Sequence, residues 1–61
     1  MRYKVKSSFT IKVGNDYFKV DEGTLWNWKE EKGSFITIEN DSKDVITISR
    51  SDFVKLFEIV Y

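Results

Sequence analysis

The chain has 61 residues, with 10 Lys or Arg, 10 Asp or Glu, and no His, Cys or Pro. That length holds one domain, residues 1–61, whose single core supplies only about 3–5 kcal/mol of stability. Disulfides and His or Cys catalysis are excluded, a zinc site lacks its usual ligands, and zero net charge argues against a bulk nucleic-acid binder.

The apolar alphabet already favours sheet. There are six Val, six Ile, five Phe, three Tyr and two Trp, but no Ala and only two Leu, and β-branched and aromatic side chains fit a pleated, half-buried surface. From Met1 to Val13 the residues alternate. Tyr3, Val5 and Ser7 share one face and Lys4 and Lys6 the other. After Ser7-Ser8 the pattern resumes with Phe9, Ile11 and Val13 on one face and Thr10 and Lys12 on the other. Such alternation predicts half-buried strands. Gly14-Asn15-Asp16 supplies a turn, and Tyr17 to Val20 returns as a hairpin partner with Phe18 and Val20 inward.

Asp21-Glu22-Gly23 is the next turn, followed by a strand from Thr24 to Glu30 with Trp26 and Trp28 on one face. Glu31-Lys32-Gly33 closes a second hairpin onto Ser34 to Glu39, where Ile36 and Ile38 share a face. Asn40 to Lys43 is polar turn material, and Asp44 to Ser49 is a short strand pairing Ile46 with Ile48. The period then changes. Ser49 or Ser51 can cap a helix, and Phe53, Leu56 and Phe57 have the i, i+3, i+4 spacing of one helical face. Two turns do not stand alone, so those three side chains must pack into the rest. Glu58 to Tyr61 reads as a last strand. No run reaches the length of a membrane span or a signal-peptide core, and a cytoplasmic location is expected.

Five or six short strands separated by turn signals predict a small barrel or sandwich, and closure would remove the exposed edges. The expected core is Phe9, Ile11, Phe18, Val20, Trp26, Trp28, Ile36, Ile38, Ile46, Ile48, Phe53 and Phe57. From Phe18 to Val60 the order resembles an SH3-like small barrel. Asp21-Glu22-Gly23-Thr24-Leu25-Trp26 looks like the turn that leads into the second main strand of such domains. Phe35 to Glu39 and Val45 to Ile48 look like the next two strands. Ser49 to Val60 resembles the helical turn and terminal strand that close these barrels. The resemblance implies an all-β, SH3-like fold with a short C-terminal helical turn. The Ala-Leu-Tyr-Asp-Tyr-like stretch, the Trp-Trp pair and the Pro of proline-binding SH3 domains are absent, so proline-motif binding is not carried over. The Lys-, Asn- and Ile-rich style is similar to that of short stand-alone proteins of bacteriophages and mobile elements in low-GC bacteria.

Chemistry-bearing constellations are few. Glu30-Glu31 and Asp21-Glu22 are adjacent, so their side chains diverge on a strand. Asp41 and Asp44 flank a turn without the organised oxygen set calcium needs. The serines lack a His base, and the three glycines sit in separate turns rather than in a phosphate loop. No enzyme activity, cofactor or metal is expected. Residues 1–20 carry Arg2, Lys4, Lys6, Lys12 and Lys19 against Asp16, a balance of +4, and the remainder balances it at −4. Arg2, Lys4, Lys6 and Lys12 with Tyr3 and Tyr17 form the candidate nucleic-acid stripe, to be weighed against a solvated outer face. Tyr3, Tyr17, Phe35 and Tyr61 exceed what one inward face needs and are candidate protein-contact anchors, unless they cover loops and the helix. The leading expectation is a non-catalytic protein-binding module, such as a phage-type inhibitor of a host or defence protein. A nucleic-acid-binding barrel and a homodimer through an edge strand are the alternatives.

Overall fold

The computed structural model describes residues 2–60. Tyr61, one of the expected contact aromatics, lies outside them. Seven strands and one helix follow in order: β1 (Arg2–Val5), β2 (Phe9–Val13), β3 (Asp16–Val20), β4 (Leu25–Lys32), β5 (Phe35–Glu39), β6 (Val45–Ser49), α1 (Arg50–Leu56) and β7 (Phe57–Val60). The all-β class holds, with seven strands rather than five or six. They form an antiparallel five-stranded sheet, ordered β6-β5-β4-β1-β7, and a separate β2-β3 hairpin. The expected closure into a barrel does not occur. β6 and β7 are the two margins of an open sheet, and the hairpin and α1 cover its apolar face instead.

Alternation fixes that face. Cross-strand partners point the same way, so Tyr3 lies beside Trp26, Trp28 beside Ile38, and Ile36 beside Ile48. Val5, Val20, Trp26, Ile36 and Ile38 are the most completely buried side chains, joined by Ile46, Ile48, Phe53 and Phe57. Val5 belongs to this core although its flanking lysines and Ser7 hide it in the sequence. Phe9, Ile11 and Phe18 are only half-buried, because the hairpin lies over the core as a cover rather than inside it. Trp28 also departs from expectation. It shares the inner face but remains 39% exposed at the rim, with its ring against Tyr3 and Phe53 at 6.1 and 5.7 Å.

The turns follow from local chemistry. Gly14 takes φ +63° between the register partners Val13 and Asp16, the glycine position of a two-residue II′ turn. Gly33 takes φ +61° between Lys32 and Phe35, so β4 runs two residues further than its sequence suggests. A bulge between Trp28 and Glu30 shifts the alternation. It brings Glu31 opposite Ile36 and within an ion pair of Arg50 at the start of α1. Of the two candidate caps, Ser49 is the one used: its Oγ accepts the N–H of Asp52 at 3.2 Å. Phe57 is already extended (φ −122°, ψ 153°) and stacks on Phe53 with ring centroids 5.0 Å apart. Its helical spacing therefore reflects a shared core contact rather than a helical turn. Among the described residues no helix is long and apolar enough to cross a membrane.

Candidate functional site

The structure separates the expected contact aromatics. Tyr3 is half-buried, edge-on to Phe53 at 5.0 Å, so it braces the core rather than presenting an anchor. Its strand pairs on both sides, with β4 and β7, and that position draws the ring inward. Tyr17 is 73% exposed at the hairpin tip, and Phe35 is 55% exposed on the outer face of β5. They lie toward opposite ends of β6, since Tyr17 borders Val45 and Phe35 is the register partner of Ser49.

The basic stripe is also divided. Arg2 and Lys4 lie on the outer face of the sheet, where they pair with Asp41 (2.9 Å) and Glu58 (3.5 Å). Lys12 shares the outer side of the hairpin with Lys19 and Tyr17, and the core lies between that side and the sheet's outer face. Lys6 follows β1 at the base of the hairpin. Four cations of one chain segment thus do not form one phosphate track. Asp44 and Asn40 are tied to each other, Nδ2 of Asn40 donating to Asp44 at 3.0 Å while its Oδ1 accepts the N–H groups of Ser42 and Asp44.

Exposed apolar side chains gather around β6. Among the described residues the large ones are Val13, Tyr17, Trp28, Phe35, Val45, Val54 and Ile59. Five of these seven border β6. Val13 and Tyr17 form, with Val45, Asp16 and Asp44, a groove of about 230 Å³ at its N-terminal end. Val54 lines a shallower depression with Ser49, Arg50 and Lys55 at its C-terminal end, where Phe35 flanks Ser49 on the other face. The groove is below the roughly 300–1,000 Å³ typical of small-molecule pockets, while the depression, about 560 Å³, falls within that range but is open to solvent.

The edge between these two ends has a definite hydrogen-bonding sense. In an antiparallel ladder alternate residues exchange both bonds with the neighbour. Just beyond the β5–β6 ladder, the N–H of Arg50 donates to the carbonyl of Ser34 (2.8 Å) at one end and that of Asn40 to the carbonyl of Asp44 (3.1 Å) at the other. Even-numbered residues of β6 therefore bond to β5. The N–H and C=O groups of Val45 and Thr47 and the N–H of Ser49 point to the open side, while the Ser49 carbonyl, as the cap of α1, accepts the first helical bond. Thr47 is further fixed by a 3.0 Å hydroxyl contact with Thr37. β6 is the one strand of the seven with no charged residue. Native edges are normally blunted by lysine, proline or bulges, and β6 has none of them. That absence of charge is legible in the sequence and was the signal for this site. No known protein family, curated protein or solved structure matches the chain.

Proposed function

We propose that the chain is a non-catalytic protein-binding module of SH3-like arrangement, whose partner adds a strand to the open edge of β6. The sheet order, the hairpin inserted after β1 and the short helix before the last strand support the SH3-like reading. The binding reading rests chiefly on one uncharged, unpaired strand edge bordered by five of the seven exposed large apolar side chains among the described residues. In strand addition the main chain supplies affinity and the side pockets supply specificity. The two depressions at the ends of β6 would serve that second role. The Lys- and Ile-rich composition, similar in style to that of short phage proteins, makes a host or defence protein the first class to screen, inhibited by a blocked surface.

The test uses two baits, wild type and Thr47→Pro. The Thr47 N–H faces outward, so proline at this edge position leaves the β5–β6 ladder intact while removing a donor to an added strand. Both are incubated with bacterial lysate to which untagged copies of the chain are added. A protein held stoichiometrically by wild type and released by a folded Thr47→Pro bait supports the reading. Equal retention by both baits, or retention of nothing including the chain's own copies, overturns it.

A further inference from the structure

We infer that the strand accepted by β6 is β6 of a second copy, antiparallel, with Thr47 on the two-fold axis. The inference rests on the reading of β6 as a strand-accepting edge. A two-fold interface must be self-complementary, and β6 meets that condition on three levels.

The backbone comes first. With Thr47 facing its own copy, Val45 meets the copy's Ser49 and Ser49 meets the copy's Val45. These are the residues whose N–H groups, and for Val45 and Thr47 also C=O groups, point to the open side. The Thr47 pair can then exchange both of its hydrogen bonds, and each Val45–Ser49 pair makes the one from the Ser49 N–H to the Val45 carbonyl, the Ser49 carbonyl being held by the first turn of α1. A shift of one residue would set bonded positions against outward ones and lose the ladder.

Charge comes second. In the same register Asp44 falls opposite Arg50 of the copy, on each side of the axis. The two ends of the edge differ in sign: Asp16 and Asp44 line the groove at one end, Arg50 and Lys55 the depression at the other. An antiparallel two-fold lays each acidic end on a basic one, and a parallel arrangement would lay like on like. Arg50 is already paired with Glu31, so Asp44 of the copy would be its second carboxylate. Asp44 itself has no cationic partner among the described residues.

Apolar cover comes third. On the outer face Val45 meets the small Ser49 of the copy, and Phe35 of that copy stands one strand behind it. On the inner side the hairpin tip of one copy, Val13 and Tyr17, is set toward Val54 of the other's α1. The side chains that the monomer leaves exposed around β6 thus lie about a single interface.

Sedimentation equilibrium of the purified chain tests this, with circular dichroism confirming that each variant is folded. The wild type is expected to reach dimer mass reversibly with concentration. Thr47→Pro is expected to be monomeric throughout, and Thr47→Lys serves the same purpose if the proline variant fails to fold. Asp44→Arg and Arg50→Asp should each weaken the dimer about tenfold, the scale of two rim ion pairs replaced by repulsion. The double variant should recover most of that loss, since the opposed pairs are re-formed with sign reversed. A dimer indifferent to Thr47→Pro and Thr47→Lys, or a double variant no tighter than either single one, overturns the inference. So does a wild type that stays monomeric. If that monomer still captures another protein through β6, the strand-accepting reading survives; if it captures nothing, both fall.

Discussion

Trp26 and Trp28 sit two residues apart on one face of β4, yet replacing them should have very different consequences. Trp26 is 1% exposed; its Nε1 donates to the Thr24 hydroxyl at 3.1 Å, and Phe18 meets its ring edge-on at 6.5 Å. Truncation to alanine at such a site costs about 3–5 kcal/mol. The whole domain has about 3–5 kcal/mol to lose, so Trp26→Ala should be unfolded at 25 °C. Trp28 keeps part of its surface in water and is held by Tyr3 and Phe53. Two such ring contacts are worth about 0.5–1.5 kcal/mol each, or about 1–3 kcal/mol together. Trp28→Ala should therefore remain folded, with Tm lowered by about 4–8 °C for each kcal/mol lost. Thermal melts by circular dichroism give the comparison. The one remaining tryptophan reports packing: Trp26 in Trp28→Ala should emit as a buried indole, and Trp28 in Trp26→Ala as a solvated one. A Trp26→Ala variant melting cooperatively within a few degrees of wild type, or a Trp28→Ala variant lost just as completely, would refute the depth assignment.

Other positions make simpler tests. Ser49→Ala removes the only side-chain cap on α1 and should cost about 1 kcal/mol in a urea melt. Gly33→Ala meets no atom within 4 Å, so its cost is conformational: about 1 kcal/mol for a Cβ at φ +61°. Lys43 is the one described non-glycine residue at positive φ, +71°. Lys43→Gly should raise stability slightly, by about 0.5 kcal/mol once the gain in unfolded-state entropy is set against the relieved strain. Anisotropy titrations with single-stranded and duplex DNA should stay flat even at low salt, where backbone binding is strongest, because Arg2 and Lys4 face carboxylates. A saturating titration would restore the nucleic-acid reading.

Strand existence was legible in the sequence because alternation and turn residues are local signals. The period of Ile36, Ile38, Ile46 and Ile48 alone places them in the core, and they are buried. Period gives the face of a strand but not the depth along it. Trp28 therefore looked like Trp26, although it lies toward the rim where β4 bulges. The outer partners of the chain's first strand were beyond reach for another reason. β1 pairs with β4 and β7, and nothing in Tyr3 or Val5 announces residues so distant in the chain. The same long-range pairing inverted the charge reading, since Lys4 meets Glu58 only because β7 returns beside β1. The uncharged edge was written plainly in Val45–Ser49, but its meaning depended on knowing that β6 ends the sheet.

The interior place of β1, between β4 and β7, also governs how this chain can assemble during synthesis. The β2-β3, β4-β5 and β5-β6 pairings join neighbours in sequence and can form as soon as each segment appears. β1 must wait. Its first partner is β4, across the whole hairpin, and its second is β7. Closing such long loops costs entropy before any contact compensates, which slows folding. On a ribosome, Val5 and Tyr3 would stay without Phe57 and Phe53 until Phe57–Val60 had left the exit tunnel. The bare margin of β6 would be exposed throughout that interval, before the rest of the sheet is in place.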